Sequence, residues 1–277
     1  MPTLGNHLPG NRVLITGACS GLGLALAKAF AARGWRIAMV DVQTQADAIA
    51  EVEACGGAVS FYPMDVCDLS AWAQVQTLIS DAWGGIDVLI NNAGVGDAGT
   101  IFTIDEARWQ RVLDINIMGV VRGTAAFAPL MRDQHAGHIV NIASMAGLFT
   151  MPTMIAYNVS KAGVVSLSES LAAELAPHGI EVSCVCPHFF KTNIGASMAD
   201  HATPETAAFL QRQMDRAPVT ADQVAQTVLK AIQNKQFLVF THPGSQRQWL
   251  MKRLMPRRAL QAAKAMALKV FNAGSRS

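Results

Sequence analysis

The chain has 277 residues, 51% of them apolar and 15% charged, with a formal net charge of +2. That length suits one large α/β domain or two small ones with ample core, and that balance excludes a disordered chain. No apolar run reaches eighteen residues and Met1–Gly10 has neither a basic nor an apolar leader pattern, so neither a membrane span nor a secretory signal is expected.

β-type and helical patterns alternate along the chain. Arg12–Thr16 reads as a first strand, Leu22–Arg33 as an apolar-striped helix ended by Gly34, and Arg36–Val42 as a second strand followed by a helix to about Ala54. Ala58–Tyr62 is a third strand, Leu69–Trp83 a helix, Asp87–Asn91 a fourth strand, and Glu106–Met131 a long helix or a broken pair. His138–Ala143, Glu181–Cys186 and Phe237–Thr241 complete seven strands, with helices over Thr153–Ala176 and Ala221–Gln233. Near-continuous apolar strands separated by helices predict a parallel sheet covered on both faces. His188–Val219 reads as one long irregular stretch after a strand end, where a doubly wound sheet places its ligands.

Between the first strand and the first helix stands Thr16-Gly17-Ala18-Cys19-Ser20-Gly21-Leu22-Gly23. Its glycines permit a tight turn and a close approach to a pyrophosphate, whose charge the helix N-terminus meets. Asp41 ends the second strand and is placed to accept from an adenosine ribose, while repelling a 2′-phosphate. With Ser20 and Val42 where a basic residue would be needed, NAD is favoured over NADP. Asp65-Val66 is placed to meet the adenine amino group, and the small residues of Asn92-Ala93-Gly94 let a cofactor lie across the sheet edge.

Tyr157 and Lys161 lie four residues apart on a predicted helix, so phenol and ammonium share a face. A nearby ammonium is expected to lower the phenol's pKa toward the working pH and make it a proton donor and acceptor at a carbonyl or alcohol. Ser144 stands thirteen residues upstream. The five cysteines, Cys19, Cys55, Cys67, Cys184 and Cys186, lack metal-type spacing, so no metal is expected, and reduced thiols in a cytoplasmic protein are the economical reading.

TGACSGLG, Asp65-Val66, NNAG, Asn116 in DINIMG, Ser144, YNVSK and Pro187 to Thr192 occur in the order and spacing of the short-chain dehydrogenase/reductases, which the chain resembles over about residues 10 to 241. The resemblance implies a single Rossmann-type doubly wound domain with a seven-stranded parallel sheet, and a homodimer or homotetramer. It implies Asn116, Ser144, Tyr157 and Lys161 as the catalytic set, with Asn116 anchoring a water and Lys161 also holding the nicotinamide ribose. It further implies that Gly17, Cys19, Ser20, Gly21, Leu22, Gly23, Asp41, Asp65, Val66, Asn92, Ala93, Gly94, Tyr157, Lys161, Pro187 and Thr192 surround the dinucleotide. The chain departs from the family's Pro-Gly by placing His188 after Pro187, a side chain where backbone freedom is customary. His135, His138 and His178 read as helix-end or loop residues without chemistry.

Met145, Leu148, Phe149, Met151 and Met154, with Phe189, Phe190, Met198, Phe209, Leu210 and Met214, predict an apolar alcohol or ketone as substrate. The expected organisation is an arm over residues 1–11, a catalytic domain over 12–241 including a substrate loop at 188–219, and a basic extension over 242–277. Residues 223–277 carry ten Lys/Arg and no Asp/Glu, leaving twelve against twenty in the preceding part. The extension's apolar positions beside those cations suit packing on a partner subunit or over the site, an anionic membrane surface, or a solvated tail. Nucleic acid is not expected, since no aromatic platform accompanies the charges. The reading is an NAD-dependent oxidoreductase acting on an apolar secondary alcohol or ketone; the alternative is a non-catalytic dinucleotide sensor or scaffold.

Overall fold

The computed structural model describes residues 4–5, 7–190 and 202–274. Seven strands form one parallel sheet: β1 Arg12–Thr16, β2 Arg36–Asp41, β3 Ala58–Pro63, β4 Val88–Asn91, β5 Gly137–Ile142, β6 Ile180–Cys186 and β7 Leu238–Phe240. Their order is β3-β2-β1-β4-β5-β6-β7, so the direction of winding reverses between β1 and β4. The strands are apolar on both faces because both faces are covered. In β1, Val13 and Ile15 face one apolar layer and Leu14 the other; in β2, Ile37 and Met39 part from Ala38 and Val40 in the same way.

Helices α1 Gly21–Ala31, α2 Ala46–Glu53, α3 Leu69–Trp83, α4 Glu106–Leu113, α5 Gly119–Asp133, α6 Met145–Leu148, α7 Ile155–Leu175, α8 Pro204–Asp215, α9 Ala221–Gln233, α10 Ser245–Leu254 and α11 Pro256–Gly274 follow in chain order. Leu26 and Phe30 of α1 and Val224, Val228 and Ile232 of α9 cover one face of the sheet. Trp72 and Ile79 of α3 and Phe127 and Met131 of α5 cover the other. Local signals set several starts: the Asp68 side chain caps α3, and Thr220 with Gln223 forms a capping box on α9.

Two sequence expectations are revised and a third is resolved. Over Glu106–Met131 the broken pair of helices is what forms: α4 and α5 are joined by a π-turn, Asp114–Met118, that has Asn116 at its middle. The stretch 188–219 is not irregular throughout, because α8 lies within it, started by Pro204 and capped by the Thr203 side chain. His138 is no loop residue: it lies in β5 with no exposed surface, within 2.9 Å of the Ser183 hydroxyl.

The end of the sheet away from the strand C-termini is held by Asp87, which has no exposed surface. Its carboxylate accepts from Gly10 N and Arg12 N, and from the Arg12 guanidinium at 2.7 and 2.9 Å. These donors satisfy the buried carboxylate, which ties the chain before β1 to the start of β4.

Candidate active site

The crevice lies at the C-terminal ends of the strands, on either side of the β1/β4 reversal, where this topology leaves room for a ligand. A cavity of about 790 Å³ runs from the β1–α1 turn, past Asp41, Asp65 and Val66, to Ser144, Tyr157 and the residues after β6.

The turn is built for close approach. Gly17 adopts φ +62, and a Cβ on Gly23 would stand 1.9 Å from Gly17 O, so the first turn of α1 can press against the loop only with glycine there. Ser20, Gly21 and Leu22 present the start of α1 to the cavity, with backbone donors and a positive dipole end facing it. Cys19 and Gly23 are not on the cavity wall. Cys19 is buried in the core, where burial pushes its thiol up and the Asp41 carboxylate adds to the effect. Its N–H donates to Asp41 Oδ2 at 3.0 Å. Asp41 also accepts from Gln43 N at 3.4 Å, which holds the carboxylate at the rim with acceptor capacity to spare.

Thr16, which sequence reasoning passed over, is the hub of this region. Its Oγ1 accepts from Asn92 N at 3.0 Å and Ala93 N at 2.9 Å. The Asn92 amide donates back to Thr16 O and Gly17 O, so this side chain braces the glycine turn. Asp65 accepts from Cys67 N at 2.8 Å, which shapes the turn on which Val66 meets the cavity.

On the opposite wall, a parallel bridge between Gly99 and Met154 and the bond from Gly99 N to Thr153 O (2.7 Å) set where α7 begins. Thr153 has φ 63, outside the helical region, so α7 starts two residues later than the apolar pattern suggests. The loop carrying Gly99 is anchored by buried Asp97, which accepts from Arg108 at 2.7 and 3.1 Å.

The structure brings Ser144, Tyr157 and Lys161 onto one wall. Ser144 caps α6: its Oγ accepts from Ala146 N at 3.1 Å and makes a long 3.5 Å contact to Pro187 O. Lys161, only 3% exposed, donates to Ile142 O at 2.8 Å, and its ammonium is 5.8 Å from the Tyr157 ring centre.

The expected acidification of the phenol is not produced by the polypeptide alone. Burial pushes Tyr157 up to about 12, against a hydrogen bond with Ser144 that works the other way. Burial brings Lys161 down to about 8. Both values follow from removing charge from water.

Asn116 has no exposed surface: its Oδ1 accepts from Val95 N at 2.8 Å, while Nδ2 donates to Val95 O at 2.9 Å and Ser160 Oγ at 3.0 Å. Ser160 in turn donates to Tyr157 O at 2.8 Å. The Asn116 side chain therefore clamps the segment after β4 to α7.

Pro187 and His188 reach the cavity from the end of β6, whereas Thr192, Lys191 and Met198 lie outside the described residues. Phe149, Met151, Met154, Phe189 and Met214 make the wall beyond Tyr157 apolar, and Gln248 joins them from α10. No local pattern marks Gln248. It arrives because Trp249 packs on Phe240, with ring centres 5.8 Å apart, and because Lys252 donates to Leu148 O.

Residues 11–203 match the family described as short chain dehydrogenase. The chain is 34% identical over 254 residues to the probable oxidoreductase EphD of Mycobacterium tuberculosis, covering 88% of this chain but 43% of that protein's length. It is 32% identical to 2-(S)-hydroxypropyl-CoM dehydrogenase 3 of Xanthobacter autotrophicus over 82% of this chain and 91% of that one. A short-chain dehydrogenase/reductase from Burkholderia phymatum, solved in complex with NAD, superimposes with a TM-score of 0.83 at 32% identity, covering 89% of this chain and 94% of its own. The chain belongs to the short-chain dehydrogenase family.

Proposed function

We propose that this short-chain dehydrogenase is an NAD-dependent oxidoreductase that interconverts a secondary alcohol and a ketone on an apolar molecule. The observation that carries the reading is a single cavity holding the glycine turn and Asp41 at one end and Ser144, Tyr157 and Lys161 at the other. The residues present fit a dinucleotide: the close turn at Gly17 and Gly23 and the start of α1 suit a pyrophosphate, and Asp41 suits a free ribose 2′-hydroxyl. The Burkholderia neighbour solved with NAD supports the same choice.

Bound nicotinamide supplies the hydride for reduction and accepts it in the reverse direction. Ser144 Oγ accepts from Ala146 N and directs its proton only to a long 3.5 Å contact with Pro187 O, which a substrate oxygen would replace with a shorter bond. Tyr157 is in its protonated form at neutral pH and delivers that proton to the carbonyl oxygen as charge develops there. Lys161 stands behind it at the cavity wall, placed to hold the nicotinamide ribose. Asn116, through Val95 and Ser160, positions both walls and takes no proton itself. The apolar wall from Phe149 to Met214 excludes water and selects an apolar substrate.

Oxidation of NADH and NADPH with a panel of lipophilic ketones tests the reading in wild type and Asp41→Ala. Wild type is expected to turn over with NADH, and Asp41→Ala to reduce the NADH-over-NADPH preference by about tenfold or more, because a like charge beside the 2′-phosphate is gone. No turnover of any ketone with either nucleotide would leave the sensor or scaffold role. An unchanged preference would show that Asp41 does not choose the ribose.

We also take residues 242–277 as a peripheral contact for an anionic lipid surface. Supporting this are the eight basic residues and no acid in that segment and the outward Leu254, Leu260, Leu268 and Phe271, which are 54–78% exposed. Co-sedimentation with phosphatidylserine vesicles is expected for the full chain and to be weaker with phosphatidylcholine or at high salt. Equal sedimentation with both lipids would end the idea.

A further inference from the structure

The departure at His188 has a partner elsewhere in the chain. His242, just past β7, makes three hydrogen bonds, two of them to the pocket floor. Its Nδ1 accepts from His188 N at 3.3 Å and lies 2.8 Å from Thr241 Oγ1; its Nε2 lies 3.0 Å from Phe189 O. A carbonyl can only accept and an amide N–H can only donate. One state therefore fits all three contacts: neutral imidazole with its proton on Nε2 and a bare Nδ1, whose single lone pair is shared between the Thr241 hydroxyl and the His188 N–H. His188 is constrained in parallel, since its own Nδ1 accepts from Phe189 N at 2.8 Å. The two rings are 5.8 Å apart, and His188 and Phe189 both line the cavity.

We propose that His242 is a positioning residue for substrate binding: in its neutral form it pins the His188–Phe189 backbone as the floor of the pocket, and its protonation releases that floor. A proton on Nδ1 would face the His188 N–H, turning an acceptor into an opposing donor. The bond to Phe189 would persist, so one of the two ties to the floor is lost rather than the fold.

The surroundings favour the neutral form at neutral pH. Burial lowers the His242 pKa first, and His188 lowers it further, while the bond to Phe189 O works the other way. Burial also lowers His188. From β7 the neighbour is the Thr241 hydroxyl. Helix α10 brings Arg247, Lys252 and Arg253, of which Lys252 is committed to Leu148 O and Arg253 lies over the Trp249 ring. The proposal goes beyond the redox reading above and uses it only for one of its two measurements.

The first measurement is the ketone KM from pH 5 to 8 at saturating NADH for wild type, His242→Asn, His242→Gln and His242→Ala. Asn keeps an acceptor near the Nδ1 position and does not titrate; Gln reaches the Phe189 carbonyl but lacks that acceptor. Wild-type KM is expected to rise by about fivefold, the worth of one hydrogen bond, toward the acid end of this range, with a smaller change in kcat. His242→Asn should hold the neutral-pH KM across the whole range, while His242→Gln and His242→Ala should show the raised KM at every pH. An acid rise that survives in His242→Asn, or a wild-type KM flat to pH 5, would overturn the proposal.

The second measurement needs no turnover, so it stands even where no ketone is reduced. Histidine ring and backbone amide NMR should show His242 as the Nε2–H tautomer at pH 7, with the His188 amide proton shifting as His242 titrates. A His188 amide indifferent to that titration would refute the pinning directly.

Discussion

Replacing Tyr157 with phenylalanine is expected to lower kcat/KM for ketone reduction by about 10²–10⁴-fold while leaving NADH affinity within about twofold. The ring is 7% exposed and packs with Ala98, Ala146, Met154, Leu210 and Met214, all of which phenylalanine retains. What disappears is the one hydroxyl that Ser144 hydrogen-bonds and that sits beside Lys161 on the cavity wall. Hydride arriving at a carbonyl carbon leaves an alkoxide-like oxygen, and without a positioned proton donor that charge is met by the Ser144 hydroxyl alone. Stopped-flow or steady-state reduction reads the loss, and quenching of NADH fluorescence reads the affinity. Equal rates for the two proteins would remove Tyr157 from the chemistry. The two directions should also differ with pH. With Tyr157 held at about 12, reduction begins with the proton already in place, whereas alcohol oxidation must remove it and should quicken as pH rises.

Acid is expected to unfold this protein in part through one buried histidine. His138 has no exposed surface; Ser183 Oγ donates to Gln236 O at 2.6 Å, so the 2.9 Å contact to His138 must be a donation from its Nε2–H. Its Nδ1 has no hydrogen-bond partner among the described residues, and the His7 ring stands 5.8 Å away. Burial, followed by the charges of His7 and Lys235, lowers its pKa from 6.5 to about 3. The folded value lies below the unfolded one, so the unfolded chain binds the proton first. The stabilisation is complete above about pH 6.5 and is lost as pH falls from there toward 3, at about 1.4 kcal/mol per pH unit. Urea unfolding of wild type and His138→Gln between about pH 6 and pH 4 measures this, since glutamine can donate to Ser183 and does not titrate. The wild-type stability should fall more steeply by about 1.4 kcal/mol per unit; parallel curves would exclude His138 as the source.

The strand runs, the glycine turn and the Tyr157/Lys161 spacing were readable from local pattern because each rests on short-range physics. A strand buried on both faces must be continuously apolar, a chain turning onto a helix start needs glycine, and two side chains four apart on a helix share a face. The π-turn around Asn116 was not readable, because the local pattern is helical and only the bonds from Asn116 to Val95 and Ser160 reveal why that turn widens. Helix α8 was hidden in a segment whose buried apolar residues, Leu210 and Met214, pack with Met154 and Tyr157 rather than on the faces of the sheet. Cys19 and Gly23 belong to the glycine motif yet stand off the cavity, one tying Asp41 and the other admitting Gly17 O.

The sequence by itself determined the parallel doubly wound sheet, the dinucleotide turn and which side chains can carry a proton, since composition, periodicity and residue chemistry are properties of short stretches. Only the tertiary structure decided their electrostatics and their partners. Burial at the sheet edge sets Tyr157 and Lys161 against the shifts that spacing alone suggests. Contacts spanning tens of residues bring Gln248 to the pocket wall and place His242 under His188. Such contacts depend on where the chain returns in space, and no window of neighbouring residues contains them.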